Sequence, residues 1–353
     1  MAYTTINKPN EYFNTVTYAG NSSSTQSITG VNFQPDFVWI KQRNLAYSHI
    51  LFDAIRGVGK SLQSNAPAVE EANSSIGYLS AFDSDGFTVS QGSSGGDRVN
   101  GAYNYVSWNW LAGGTGVSNT DGSITSTVSA NPTSGFSVVT YTGTNAIASV
   151  GHGLGVKPAM IIAKNLITNG EDWAVYHKSL GGYQYYLKLN GDTAVSTATN
   201  RWNAEPDTDV FNVGAVGETN GSGTSQVAYV FVEKKGYSKF GSYTGNGNAD
   251  GTFVYTGFSP AFVIMKRTDT SDIWSIVDNK QANPYPNPNV QMLVANTNGA
   301  DNSSVSPFID ILSNGFKLRG TWTGVNASGG TYIYMAFAEQ PLVGTNNIPA
   351  KAR

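Results

Sequence analysis

The sequence contains no cysteine and few charged residues. The absence of cysteine among 353 residues excludes disulfide frameworks, thiolate metal sites and cysteine nucleophiles. Charged residues make up 13% of the chain, about half of the roughly 25% that is typical of soluble domains. The formal net charge is −3, so the composition predicts binding neither to nucleic acid nor to an anionic membrane.

Long apolar runs are also missing. The longest runs, residues 159–163 and 335–338, are far shorter than the roughly 18 residues that a membrane-spanning helix needs. Residues 1–10 have neither a basic start nor an apolar segment, so we expect no secretory signal and synthesis in a cytosol. The aromatic content of 12% argues against disorder, and the length predicts two or three domains.

The residues that are present indicate β-structure. Short stretches rich in Val, Ile, Tyr, Phe and Trp, such as residues 37–41 (FVWIK) and 227–232 (VAYVFV), alternate with Gly, Asn, Asp, Ser and Thr. Asp-Gly and Asn-Gly pairs recur between them, and these pairs favour hairpin turns. Since no window sustains a helical apolar period, we predict an all-β chain of short antiparallel strands.

One pattern of residues occurs three times. A Tyr-x-Gly is followed 15 residues after the Gly by Pro, and 6 residues after the Pro by Lys. The Tyr, Pro and Lys positions are Tyr18, Pro35 and Lys41; Tyr141, Pro158 and Lys164; and Tyr243, Pro260 and Lys266. Because the spacing is identical in all three copies, we interpret the pattern as an internal repeat.

The repeat predicts the domain organisation. The predicted segments are an N-terminal arm (1–11), unit one (12–112), a linker (113–134), unit two (135–235), unit three (236–340) and a C-terminal tail (341–353). Units of about 100 residues with short strands favour three tandem, jelly-roll-like antiparallel β-sandwiches. Segment 113–134 is predicted as a linker because it has almost no large apolar residue. We expect each repeat Lys to hold its ammonium at the rim of a sheet.

Two glycine-rich segments resemble nucleotide-binding loops without meeting their requirements. Residues 56–61 (RGVGKS) lack the first glycine of a phosphate loop, since position 54 is Ala54, and no helix is predicted after them. Residues 151–155 (GHGLG) precede a strand, whereas a dinucleotide loop follows one. Both are therefore predicted to be turns, and we expect no cofactor.

Histidines and carboxylates offer no clear catalytic or metal site. His49, His152 and His177 are far apart in the sequence, and residues 246–251 (NGNADG) lack the bidentate Glu of a calcium loop. A pair of carboxylates could serve glycoside hydrolysis. The candidates are Asp53, Asp83, Asp85, Glu171, Asp172, Asp207 and Asp209. Most of them lie in turns, where Asp binds the local backbone, so we predict no catalytic residue and no metal.

Five aromatic residues outside the repeated strands are candidates for contact with a glycan or a host surface. They are Trp202, Trp322, Tyr183, Tyr185 and Tyr186. Flat rings at a rim suit the apolar faces of sugars. The alternative is that these side chains belong to the core or to a subunit interface.

Several segments resemble an uncharacterised β-repeat family found in tail and virion proteins of tailed bacteriophages, especially phages of marine bacteria. These segments are residues 30–44, 118–143, 151–165, 239–269, 314–320 and 327–341. The resemblance covers nearly the whole chain and implies a virion structural protein of the kind often labelled tail fibre. The family carries no catalytic residue over to this sequence.

The resemblance implies a function in adhesion. We expect a tail-fibre or receptor-binding component, made in the host cytoplasm and located in the virion, that binds a host cell-surface glycan or protein through several weak sites. Its expected partners are other virion proteins and copies of itself, as a homotrimer. One alternative is a decoration or connector protein of the capsid or tail. A second is a polysaccharide-degrading tailspike enzyme.

Overall fold

A computed structural model describes residues 3–280, 287, 291–301 and 308–343. The chain is 44% strand and 4% helix, which confirms the prediction of an all-β fold. The helical segments are two 3-10 turns, Pro9–Glu11 and Lys178–Leu180, and two short helices, α1 (Gly217–Asn220) and α2 (Thr323–Asn326).

The strands follow one another in three groups. The first group is β1 (Phe13–Ala19), β2 (Thr25–Thr29), β3 (Phe37–Gln42), β4 (Ile50–Asp53), β5 (Lys60–Gln63), β6 (Glu71–Ala72), β7 (Tyr78–Asp83), β8 (Gly86–Ser90) and β9 (Asn104–Trp110). The second is β10 (Val117–Asn119), β11 (Ser126–Asn131), β12 (Phe136–Thr142), β13 (Ala148–Gly151), β14 (Met160–Asn165), β15 (Ala174–His177), β16 (Tyr185–Lys188), β17 (Ser196–Thr197), β18 (Val210–Val213) and β19 (Ser225–Phe231). The third is β20 (Ser238–Thr244), β21 (Phe253–Tyr255), β22 (Phe258–Arg267), β23 (Trp274–Asp278), β24 (Leu293–Val294), β25 (Ile309–Leu312), β26 (Gly315–Leu318) and β27 (Thr331–Pro341).

These strands form three large sheets and three small ones. The first, second and third large sheets have the orders β1-β9-β3-β4-β5-β6, β10-β11-β12-β19-β14-β15-β16-β17 and β20-β27-β22-β23-β24. The small sheets have the orders β2-β8-β7, β13-β18 and β21-β26-β25. In each large sheet the strand with the repeat Lys lies between the last long strand of its group and a hairpin partner. The unit boundaries and the jelly-roll likeness stay predictions.

Residues 113–134, which were predicted to be a linker, contribute two strands. β10 and β11 pair with each other, and β11 pairs with β12, so the segment extends the second large sheet. Ile124 and Val128 are buried while Thr125 and Thr127 are exposed. This alternation of buried and exposed β-branched residues favours strand structure although the segment has few large apolar side chains.

The large sheets are buried on both faces. In β3, Phe37 and Trp39 belong to one apolar core, and Val38 and Ile40 belong to another. Successive side chains of a strand point to opposite faces, so every residue of Phe37–Gln42 is buried. Burial on both faces explains why this strand is a continuous apolar run rather than an alternation with polar residues.

One central core joins the three large sheets. Trp110, Phe231 and Phe337 lie on β9, β19 and β27, and their rings form a triangle with centroid separations of 6.4, 6.0 and 5.7 Å. All three residues are at most 1% exposed. The opposite faces of the large sheets pack against the small sheets in three separate outer cores. The large sheets therefore pack on one another as well as on their own small sheets.

The Tyr-x-Gly motif joins the first long strand of each large sheet to the loop before its last strand. The hydroxyls of Tyr18, Tyr141 and Tyr243 donate to the carbonyl oxygens of Val99, Thr219 and Val325 at 2.8, 2.6 and 2.9 Å. A Cβ on Gly143 would lie 2.2 Å from the carbonyl oxygen of Gly221. The glycine is thus required because the loop backbone approaches the strand closely.

The repeat lysines are buried, so the predicted rim position was wrong. Lys41, Lys164 and Lys266 are 0% exposed. Each Nζ donates to the carbonyl oxygen of the next residue, at 2.5, 2.7 and 2.7 Å. Burial lowers the pKa of each lysine to about 8. The strand ends lie inside because neighbouring sheets cover them.

Truncation of Phe231, one of the three rings of the central triangle, is expected to destabilise the whole chain. Phe231→Ala should lower the free energy of unfolding by about 3–5 kcal/mol, the usual cost of emptying a buried phenylalanine site. Because the core is common to three sheets, urea denaturation of this variant should show a single transition, shifted to a lower urea concentration. Phe253→Ala is the matched control, since Phe253 is 44% exposed. A displaced sub-transition for the second sheet alone would contradict a common core.

The buried lysines predict that stability rises in mild alkali. Above about pH 8 the folded lysines have released protons that the unfolded chain, with lysine pKa values near 10.4, still binds, so stability increases with pH. Lys164→Met should remove about one third of this increase, because one of three such groups is lost. The measurement is urea denaturation at several values between about pH 7.5 and 9.5, below the range where tyrosines ionise. If stability rose as steeply with pH in Lys164→Met as in the wild type, the lowered pKa of Lys164 would be contradicted.

Candidate functional site

Backbone contacts at equivalent positions connect the large sheets in a ring. The amide nitrogens of Glu70, Val195 and Asp301 donate to the carbonyl oxygens of Leu166, Thr268 and Arg43 at 2.8, 2.9 and 2.8 Å. Each acceptor lies two residues after a repeat Lys. The contacts run from the first sheet to the second, from the second to the third and from the third to the first, so the ring is closed.

Buried ring nitrogens form a second set of contacts between the sheets. Trp173 Nε1 donates to the carbonyl oxygen of Gln63 at 2.8 Å, and Trp274 Nε1 donates to that of Lys188 at 2.9 Å. In the first sheet, His49 occupies the equivalent position: it precedes Asp53 by four residues, just as Trp173 precedes His177 by four. Burial holds the pKa of His49 well below its usual value, and the nearby Lys41 lowers it further.

Buried carboxylates form a third set of contacts. Asp53 accepts a hydrogen bond from the Tyr229 hydroxyl at 2.8 Å, and Asp278 accepts one from Trp108 Nε1 at 2.9 Å. Asp53 and Asp278 both pair with the first residue of the central apolar run, Phe37 in β3 and Phe262 in β22. The two carboxylates therefore hold equivalent junctions between neighbouring sheets.

At the remaining junction a histidine takes the place of the carboxylate. His177 Nδ1 accepts from the Ser179 amide at 3.1 Å, so Nε2 carries the proton and donates to the carbonyl oxygen of Tyr334 at 3.2 Å. The neighbouring Met335 stands where Tyr229 and Trp108 stand in the other sheets, and Met has no donor. The loss of the donor and the change from carboxylate to imidazole thus compensate each other.

The junction of the first and second sheets holds a paired charge cluster. Arg56 Nε lies 2.5 Å from Asp53 Oδ2 and its NH1 lies 3.1 Å from Glu70 Oε2, while the Arg56 side chain is only 2% exposed. Burial opposes the charge, but Asp53, Tyr229 and Glu70 together raise the pKa of Arg56. Each charge has a partner within the cluster. Because the cluster is also bonded to Tyr229 of the second sheet, it holds the first and second sheets together.

A cleft opens outside each junction. The first, second and third clefts have volumes of about 510, 460 and 310 Å³, and are lined by Tyr141, Tyr243 and Tyr18 of the three Tyr-x-Gly motifs. Hydroxyl side chains from the same strands line all three. The charged lining differs: Arg56, Lys60 and Glu70 in the first cleft, Asp269 in the second, and Arg43 and Lys280 in the third. The clefts are alike in position and different in charge.

The five predicted contact aromatics do not form one site. Trp202 is 1% exposed in the outer core of the second sheet, and Tyr186 is 8% exposed with the Arg201 guanidinium 3.9 Å from its ring centre. Trp202 is thus a core residue, as the alternative interpretation held. Tyr183 and Tyr185 are half-buried in the same part of the chain. Trp322 packs 5.8 Å from Phe308 against the outer core of the third sheet.

Sequence reasoning missed an exposed aromatic pair on an edge strand. Phe253 and Tyr255 of β21 are 44% and 52% exposed, and the Tyr3 hydroxyl lies 3.5 Å from that of Tyr255. The signal was the i, i+2 placement of two aromatics around the inward-facing Val254. Such a pair on one face of a strand offers a surface for a ligand or another protein.

Within the described ranges, no group of three or more His, Asp and Glu side chains is arranged to hold a metal ion. His49, His152 and His177 are all 0% exposed. In residues 246–251, the side-chain oxygen of Asn246 accepts from the Asn248 amide, and that of Asn248 accepts from the Asp250 amide. These bonds form a local turn. No helix of the described chain is long and apolar enough to cross a membrane.

His177 and Asp278 predict opposite responses to acid. Burial lowers the pKa of His177 to about 4, so from about pH 6.5 down to 4 the unfolded chain binds a proton that the folded chain does not, and stability is lost. Burial raises the pKa of Asp278 to about 6, so the folded chain binds a proton first as the pH falls, and stability is gained.

These signs predict the behaviour of two variants. Between pH 6.5 and 4, the free energy of unfolding of His177→Gln should fall by about 3 kcal/mol less than that of the wild type. Over the same range, that of Asp278→Asn should fall by more than that of the wild type. The measurement is the urea midpoint and slope at each pH. Parallel curves for all three proteins would contradict the assigned pKa directions.

Comparison with known proteins gives a family but no characterised relative. Residues 8–341 match the sequence profile of a family described as a domain of unknown function (DUF7483). No curated protein and no solved structure matches the chain.

Proposed function

The chain belongs to this family of domains of unknown function (DUF7483), and we propose that it is a structural and adhesive protein of a tailed-bacteriophage particle, without enzymatic activity. The resemblance of residues 30–44, 118–143 and 239–269 to phage tail and virion proteins supports the location. The observation that carries the adhesive function is the set of three clefts at equivalent positions around one closed ring of sheets.

We infer further that the ring consists of three copies of one module. The same strand order around each Lys-bearing strand supports this. So do the backbone contacts from Glu70, Val195 and Asp301, which occupy matching positions in the three sheets. The module would bury one face of its large sheet against its own small sheet and the other against its neighbours.

Three related clefts on one rigid body suit multivalent attachment. Sites held at fixed separations raise the effective concentration of the second and third contacts, so weak individual binding adds up to tight attachment.

The ring also predicts the assembly state of the isolated protein. Surfaces that three subunits would bury against each other are already buried within one chain, around Trp110, Phe231 and Phe337. We therefore expect a monomer of 37.5 kDa in place of the homotrimer that the resemblance implies. Native mass spectrometry measures this directly, and a species of three chains at micromolar concentration would contradict it.

The location and the role can be tested together. Antibodies raised against the purified chain should label the source phage's particles in electron micrographs, and excess free protein should block adsorption to host cells. Labelling without blocking would favour a decoration or connector protein. Absence from purified particles would overturn the proposal. Release of reducing sugars from host polysaccharide by the purified chain would instead favour the tailspike enzyme.

A further inference from the structure

The edge strand β20 of the third large sheet has backbone groups that bond to no neighbour. β20 pairs with β27 on one side only, and the Gly245 amide donates to the carbonyl oxygen of Gly330 at 2.9 Å. Alternate residues of an antiparallel strand bond to opposite sides, so Ser242, three residues earlier, directs its amide and its carbonyl oxygen away from β27. Ser242 is exposed, and its backbone makes no hydrogen bond with the described part of the chain. Such an open edge is a template for a further strand.

The equivalent edge of the second large sheet is covered by a strand. Thr140 corresponds to Ser242, since each directly precedes the Tyr of its Tyr-x-Gly motif. Thr140 is paired with Thr127 of β11. The amide of Ile124, just before β11, donates to the carbonyl oxygen of Ser149 in β13 at 3.0 Å. The covering segment therefore adds to the large sheet and contacts the small sheet at the same time.

The strand β21 lies beside the open edge and is the counterpart of β13. In both small sheets a Val of the strand pairs with a Phe of the neighbouring strand, so Val150 and Val254 are equivalent. β21 follows closely on the end of β20, where the Thr252 hydroxyl donates to the carbonyl oxygen of Thr244 at 2.7 Å. A strand added to β20 would therefore contact β21, as the segment that covers β12 contacts β13.

Aromatic residues replace small ones at the contact positions of β21. Phe253 and Tyr255 hold the positions that Ser149 and Gly151 hold in β13. The covering segment sits tightly on β13, because a Cβ on Gly151 would lie 1.6 Å from the side-chain oxygen of Asn119. Phe253 and Tyr255 are instead 44% and 52% exposed. Two large rings beside an unpaired backbone offer apolar contact and hydrogen bonds to the same incoming segment.

The charged side chains around the open edge are paired. Lys317, on the strand next to β21, lies 2.5 Å from Asp250. Lys239 of β20 lies 2.8 Å from Glu233. A charged segment would therefore meet no uncompensated opposite charge, and an uncharged one fits best. The segment that covers the equivalent edge has this character, since residues 123–131 (SITSTVSAN) include no charged side chain.

We propose that the open edge of β20, together with Phe253 and Tyr255, binds an extended, uncharged segment of another protein as an added strand. The occupant is a different protein because residues 117–131 of a second copy are engaged on its own β12. The inference goes beyond the proposed function, since it names a polypeptide partner and requires no host-surface ligand. Thr125 and Thr127 line the first cleft, so an added strand would complete the wall of the second cleft in the same way.

The test measures hydrogen exchange at the open edge of the purified full chain by NMR. The probe is a peptide of residues 123–131 (SITSTVSAN), which covers the equivalent edge in the second sheet. The Ser242 amide should exchange fast in the free chain and at least tenfold more slowly with about 1 mM peptide, the concentration range of a weak complex. A peptide with N-methylated backbone amides cannot pair as a strand and should give no protection.

Matched substitutions separate the backbone of the open edge from its side chains. Ser242→Pro removes the outward amide hydrogen, and proline is tolerated on an edge strand, so peptide binding should weaken at least tenfold. Ser242→Ala keeps that amide and should bind as the wild type does. Phe253→Ser combined with Tyr255→Thr introduces the residue types that β2 carries at the equivalent positions 27 and 29. This double variant should also bind the peptide more weakly, with an unchanged melting temperature, because both rings are exposed.

Each outcome decides the proposal. Slowed exchange at Ser242 that is lost in Ser242→Pro and kept in Ser242→Ala supports it. If Ser242→Pro does not fold, the N-methylated peptide decides the question on the wild-type chain. No protection at about 1 mM peptide, equal binding by a folded Ser242→Pro, or resonance shifts of Phe253 and Tyr255 with neutral oligosaccharides but not with peptide would overturn it.

Protection of the Ser242 amide without any peptide would also overturn the proposal. If that protection disappeared on dilution, the occupant of the edge would be a second copy of the chain. If it disappeared on deletion of residues 344–353, the occupant would be a segment of the same chain.

Discussion

The burial of three sheets against one aromatic core is the constraint on which the rest of this structure depends. Trp110, Phe231 and Phe337 meet at the centre, each from the last long strand of its sheet. Burial of large aromatic side chains removes a large apolar area from water and makes a large contribution to folding. Once both faces of a sheet are covered, its central strands must be apolar throughout, and polar groups at their ends are buried with them.

That constraint accounts for the chemistry of the junctions. A polar group enclosed between sheets needs a partner, since water cannot supply one. Asp53 and Asp278 have phenol and indole donors from the next sheet, while His177 uses a backbone carbonyl where the facing residue is Met335. The interior thus preserves each contact through compensating changes. The clefts outside it, which face solvent, differ in their charged residues.

The sequence located strands better than sites. The apolar runs that end at Lys41, Lys164 and Lys266 identified one strand in each large sheet, because strand propensity and turn chemistry are local properties of the chain. The same residues were predicted to hold their ammonium groups at a rim, because the spacing contains no information about a neighbouring sheet that covers the strand ends. Trp202 was a candidate contact for a similar reason: an aromatic residue outside a repeat can lie in a core or on a surface.

The all-β character, the positions of many strands and the threefold Tyr-x-Gly pattern follow from the sequence alone. Tertiary packing sets the remaining features: residues 113–134 extend a sheet, three sheets close into a ring, and the two ends of the chain meet at one cavity. The physical reason is distance along the chain. Strand propensity depends on neighbouring residues, whereas Asn7, Asn279 and Gln340 come together only after packing has joined the two ends of the chain.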